Sequence, residues 1–164
     1  SSATRPAHGT HAAAAAGVVS SLLADGRTAN RLAAMIQRLA PQSPERTYDL
    51  AWNVARWSRN YGVRPELVVG VIYVESRFDP RARNGIHHGL GQLSPTIRRA
   101  WHAGDGFNLP SNVRATCAHL AGLVRSYGEH GGAAAFNGGP GGANSKACQG
   151  YAARVMRTAN GGTP

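Results

Sequence analysis

Glu75 is the first residue whose type and setting could do chemistry. It directly follows Leu67–Val74, an apolar run of eight residues. On a helix, Val68, Val71 and Ile72 lie seven, four and three positions before it, so the carboxylate shares their buried face. Burial disfavours the ionised form and raises the pKa. The C-terminal end of a helix adds partial negative charge and acts in the same direction. A carboxylic acid held protonated in this way can serve as a general acid. The competing reading is a half-exposed glutamate paired with Arg77 or Arg81.

The other titratable residues have blander readings. The chain has eight acids and seven histidines. Asp79 lies one helical turn past Glu75 but precedes Pro80, and reads as a helix-end or turn residue. Asp105, in Gly104-Asp-Gly-Phe, and Glu129, in Gly-Glu-His-Gly-Gly, both fit turns. His87 and His88 are adjacent, so their side chains diverge and suit a metal poorly. His102, His119 and His130 make no ligand spacing. With two cysteines and no CxxC or Cys/His cluster, a structural zinc is disfavoured. HExxH, P-loop and strand–helix GxGxxG patterns are absent. Gly138–Gly142 could cradle a phosphate, but no strand precedes it, and a turn at the edge of a cleft is the better reading.

The elements that must position Glu75 are helical. Residues 1–11 are rich in Pro, Gly, His, Ser and Thr and read as a flexible N-terminal segment. Residues 12–43 form an N-terminal helical extension. In it Ala12–Ala24 favours helix by alanine content, and Leu32, Met35, Ile36 and Leu39 make a helical stripe stopped at Pro41. Ala12–Ala24 also resembles the core of a signal peptide, but it runs into Asp25-Gly26-Arg27 and is read as helix, with any targeting segment absent. Residues 44–164 form the main domain. Ser43-Pro44 reads as N-cap and first residue of a helix that ends at Gly62. Pro65-Glu66 opens a core helix through Leu67–Val74. Residues 79–93 read as a loop or small irregular sheet. Ser94-Pro95 starts a helix with Ile97 and Trp101 inward. Ser111 is the expected cap of another, with Val113, Cys117, Leu120, Val124 and Tyr127 in one stripe. A short Ala133–Asn137 segment follows, and a last helix runs from about Ser145 to Arg157. The class is mostly α.

The chain has 164 residues, 42% apolar, enough for one domain with a core. Its longest apolar runs are eight residues, against about 20 for a membrane span, so a soluble protein is expected. The net charge of +10 comes from 17 Arg and Lys146. It suits an anionic partner: nucleic acid, anionic lipid or a wall polymer. The arginines are dispersed, with Arg98-Arg99 the only adjacent pair and no basic stretch interleaved with aromatics, which disfavours nucleic acid.

Four segments in order narrow the reading. Val71-Ile-Tyr-Val-Glu75-Ser76-Arg77-Phe78-Asp79-Pro80 is followed by Gly89-Leu-Gly-Gln92-Leu, then Ala134-Ala-Phe-Asn137-Gly-Gly-Pro140-Gly, then Tyr151-Ala-Ala-Arg-Val155. This order and spacing, over roughly residues 60–157, resembles the soluble lytic transglycosylases. These are lysozyme-like enzymes, related to goose-type lysozyme, that cleave peptidoglycan without water. The resemblance implies a lysozyme-like helical domain with Glu75 as the single catalytic acid and Ser76 beside it. Gly89, Leu90 and Gln92 match a Gly-Leu-Met-Gln motif lining the sugar cleft. Gly91 stands where the family has Met, which leaves one cleft wall without a side chain. Phe136-Asn137 matches the family's Tyr-Asn with a hydroxyl missing. Tyr151 matches a tyrosine whose hydroxyl reaches the catalytic acid. Its place on a stripe with Cys148 and Val155 agrees, since a buried phenol needs a hydrogen-bond partner; a backbone partner is the alternative.

The carboxylate count bears on mechanism. Ordinary glycosidases use two, about 5–5.5 Å apart for retention or about 6.5–9.5 Å for inversion. Goose-type lysozymes carry aspartates after the catalytic Glu, and between Asp79 and Asp105 this chain has none. The resemblance therefore implies cleavage of the MurNAc-β-1,4-GlcNAc bond with 1,6-anhydro-MurNAc ends. It implies no cofactor and no metal, peptidoglycan strands as partner, a monomer, and a periplasmic, secreted or virion-associated location. The alternatives are a muramidase of lysozyme or endolysin type and a catalytically impaired peptidoglycan-binding module, which the Gly91 and Phe136 departures keep open. Cys117 and Cys148 lie on apolar stripes. They are either buried free thiols or a disulfide closing about 30 residues, worth about 3–4 kcal/mol in the chain-entropy account.

Overall fold

The computed structural model describes residues 8–163. Six helices and one small sheet build it. They are α1 (His8–Leu39), α2 (Pro44–Tyr61), α3 (Pro65–Ser76), α4 (Pro95–Ala100), α5 (Leu109–Gly142) and α6 (Lys146–Ala159). Strands β1 (Arg83–Asn84) and β2 (His87–His88) pair antiparallel, Arg83 opposite His88. The fold is the mostly helical, lysozyme-like one.

The sequence signals place most helix ends. The Ser43 hydroxyl accepts from the Arg46 N–H at 3.3 Å, with Pro44 in the first turn. Gly62 ends α2 in the left-handed region at φ 71°. The hydroxyls of Ser94 and Ser145 cap α4 and α6.

Three expectations need correction. Residues 1–7 of the expected flexible segment lie outside the described residues, but residues 9–11 are already inside α1, because the alanine run that follows propagates helix back to His8. The cap of α5 is Asn108, not Ser111: the Asn108 side chain accepts from the Ser111 N–H at 3.0 Å, and Pro110 sits in the first turn. Tyr127 leaves the α5 stripe and is half exposed, beside the non-helical Gly128. The breaks expected from the glycines are present: Gly128 and Gly139 leave helical geometry at φ 72° and 71°, so Ala133–Asn137 lies in a separate helical stretch between them, and the chain turns at Gly139 on the edge of a cleft.

α3 is the buried axis. Leu67, Val68, Val69, Val71 and Ile72 are all 1% exposed or less. They join Leu32 and Ile36 of α1, Leu50 and Val54 of α2, Val113 and Leu120 of α5, and Val155 of α6 in one core. Ion pairs fasten the outer helices. Arg59 grips the buried Asp25 through both carboxylate oxygens, at 2.7 and 2.9 Å, and Arg64 grips Glu129 likewise. No helix among the described residues is long and apolar enough to cross a membrane.

Candidate active site

α3 ends where the candidate acid stands. Arg77 turns left-handed at φ 50°, its N–H returning to the Tyr73 carbonyl, and Phe78 follows at φ 67°. Two successive non-glycine residues in that region are a strained stop. Phe78 is held there by burial against the Tyr73 ring, 5.4 Å between centroids. Glu75 is thereby fixed in the last helical turn. It forms no ion pair with Arg77 or Arg81. The Arg77 guanidinium lies over the Tyr73 ring instead.

α6 brings the partner. Tyr151 is buried, and its hydroxyl donates to Glu75 Oε1 at 2.6 Å. The approach of α6 to α3 depends on Gly70, where a Cβ would lie 2.8 Å from the Val155 carbonyl oxygen. Burial pushes the Glu75 carboxyl up to about 7, opposed by the Tyr151 hydrogen bond and the positive charge of Arg154. Burial and the facing carboxylate hold the Tyr151 phenol well above its usual range, so it stays a donor.

Glu75 opens onto a cleft of about 530 Å³. Asn84, His87 and Gln92 line one part of it, Leu93, Ser94 and Ile97 another, and His119, Ala135, Phe136, Asn137, Gly139 and Pro140 the remainder. Glu75 is the only carboxylate among these residues. Asp79 and Asp105 are spent on turns, accepting from the N–H groups of Arg81 and Phe107 at 2.9 Å each. Among the described residues no three His, Cys, Asp or Glu side chains could hold a metal ion.

The structure gathers Glu75, Gln92, Phe136 and Asn137 at this cleft, sets Tyr151 behind Glu75 through its hydrogen bond, and leaves the other expected binding residues out of the lining. Gln92 stands at φ 47° and donates from Nε2 to the carbonyls of Ala82 and Gly89, at 3.0 and 2.8 Å, so it binds the strand-bearing loop together. Asn137 donates to Cys148 Sγ at 3.4 Å. The Ser76 hydroxyl turns back to the Ile72 carbonyl at 3.0 Å. Leu90 is in the core, and Gly89 packs where a side chain would collide with Gly106 and Asn112. Ser76, Gly89 and Leu90 thus support the wall and do not line it.

Gly91 is a further correction. The space of its missing side chain is filled by Thr116 of α5, which a Cβ would strike, and its N–H donates to Asn112 Oδ1 at 2.9 Å. The absent side chain faces inward, so it does not leave the cleft wall bare. The disulfide is also not formed. Cys117 is fully buried in the α5 core face, Cys148 sits against Asn137, and both are free thiols.

Two residues escaped the sequence reading. Asn112 is buried and ties the loop to α5, donating to the carbonyls of His88 and Gly106 at 3.2 and 2.8 Å. A polar residue beside Val113 in the first turn of an apolar helix was the available signal. His119 had none, since its neighbours Cys117 and Leu120 mark the opposite, buried stripe.

A known family accounts for this arrangement. Residues 52–154, more than half of the chain, match the Transglycosylase SLT domain. The chain belongs to that family. The SLT match begins within α2 and ends in α6, so it takes in Glu75, the cleft and Tyr151. An SLT domain is a lytic-transglycosylase-type domain acting on peptidoglycan, a substrate that lies outside the cytoplasm. The chain has no match among the curated proteins.

Proposed function

We propose that this SLT domain cleaves the MurNAc-β-1,4-GlcNAc bond by intramolecular transglycosylation, with Glu75 as its single acid and base and Tyr151 as its positioning partner. The observation that carries the reading is one protonatable carboxylate in a cleft that holds no second carboxylate. Protonated Glu75 gives its proton to the glycosidic oxygen as the C1–O bond breaks. The muramoyl N-acetyl oxygen stabilises the cationic C1. Glu75, now ionised, takes the proton of the C6 hydroxyl, and O6 bonds to C1. No water is consumed, and Glu75 ends protonated as it began.

The setting of Glu75 suits both halves of this cycle. A pKa of about 7 lies close to neutral pH, where an acid gives and regains a proton with least cost. The Tyr151 hydroxyl donates to Oε1 and so supports the ionised state that forms midway. Its donation also fixes which oxygen is occupied, leaving Oε2 as the one that exchanges the proton. The dispersed positive charge suits adhesion to an anionic wall polymer. Digestion of purified sacculi with mass analysis of the products tests the proposal. Anhydro ends support it, and reducing ends assign the domain as a muramidase.

A further inference from the structure

His119 lines the same cleft as Glu75, Phe136 and Ile97. Its ring packs against Phe136, 5.4 Å between centroids at an interplanar angle of 49°. Unlike His88 and His130, whose ring nitrogens meet the Asp105 carbonyl and Gln149, it makes no hydrogen bond to any described residue. A half-buried imidazole without a protein partner has lost much of its water and received nothing in return. Burial lowers its pKa, so the ring is neutral near pH 7 and offers one N–H and one bare nitrogen. Beside it stands an apolar wall: Phe136 and Ile97 both pack against the small cluster of Leu93, Ala103 and Ala115. Phe136 carries no hydroxyl, so this part of the wall has no other side-chain donor from that residue.

A polar ring next to a small apolar wall matches a group with a carbonyl at one end and a methyl at the other. We infer that His119 is a specificity-determining residue, its imidazole hydrogen-bonding the acetamido group of a bound sugar whose methyl lies against Phe136 and Ile97. This rests on the peptidoglycan reading and adds to it the side chain that tells an N-acetylated sugar from a plain one. His119 itself takes no part in bond cleavage.

Equilibrium binding to the catalytically silenced Glu75→Gln protein tests this without turnover. The probes are the β-1,4-linked N-acetylglucosamine hexamer and cellohexaose, both neutral and differing in the acetamido groups. The Glu75→Gln protein should prefer the acetylated hexamer. Adding His119→Leu, which keeps bulk but removes both nitrogens, should cut that preference about three- to tenfold, the range of one neutral hydrogen bond. Adding His119→Gln, which restores a donor and an acceptor, should return it to within about twofold. An undiminished preference in His119→Leu overturns the inference and leaves the peptidoglycan reading standing. Equal losses in Leu and Gln overturn it too, because they indicate a packing role. Failure of the Glu75→Gln protein to bind either hexamer overturns the peptidoglycan reading and the inference with it.

Discussion

The Tyr151 hydroxyl meets Glu75 Oε1 at 2.6 Å, across the junction of α6 with the last turn of α3. That bond joins residues 76 positions apart and lowers the Glu75 pKa against the larger effect of burial.

Tyr151→Phe removes the donor and leaves the ring. The Glu75 carboxyl should then rise further above 7, because the hydrogen bond that held it down is gone. Turnover should fall about ten- to hundredfold, as expected for losing a bond to a charged acceptor. The alkaline limb of the pH–rate profile should move to higher pH. A limb that stays in place, or moves down, contradicts the assigned role of the phenol.

Glu75 also links stability to pH. Its folded pKa of about 7 exceeds its unfolded value of 4.5, so the native state binds the extra proton between them. The stability from holding the neutral form is full below about 4.5 and is lost as pH rises through about 7. Glu75→Gln stays neutral throughout. It should match the parent near pH 4 and exceed it by about 3 kcal/mol at pH 8. Urea unfolding at the two pH values reads the difference, and a constant gap would contradict the buried setting.

Gly91 and Thr116 share one volume. Gly91→Ala should destabilise by about 1–3 kcal/mol through overpacking. Thr116→Ala in the same chain should recover about half of that or more, giving a coupling well outside additivity. Additive effects in urea unfolding would mean that the two side-chain positions do not compete.

The thiols should be inert in the native protein, since Cys117 is fully enclosed and its pKa is raised by burial. Unfolding without reductant should expose both to iodoacetamide, visible as two added groups by mass. No alkylation under those conditions would indicate a bridge.

The helices were legible because each rests on local signals. Ser43-Pro44 and Gly62 bound α2 by their own backbone preferences, and the apolar run 67–74 could only be buried. The burial of Glu75 was legible for the same reason and the inward face of Tyr151 from its stripe, whereas the bond between them was implied only by the family resemblance. The orientation of Gly91 was not, because it depends on Thr116, 25 positions later, pressing from α5. Neither was the cleft position of His119, which is fixed by how α5 is laid across α3 and the β-loop. The break at Gly128 was legible in outline, because it needs a backbone conformation that glycine adopts most readily, and a short separate segment follows it. The cysteines shared the right kind of face, but the distance between two helices is not written in either one.

The central claim is that one carboxylate suffices because the substrate supplies its own nucleophile. Purified sacculi digested to completion, then reduced with borohydride and weighed by mass spectrometry, test it directly. The expected muropeptides end in 1,6-anhydro-MurNAc, one water lighter than hydrolytic products and unchanged by borohydride, and none are formed by Glu75→Gln. Reducing ends that gain two hydrogens would contradict the claim.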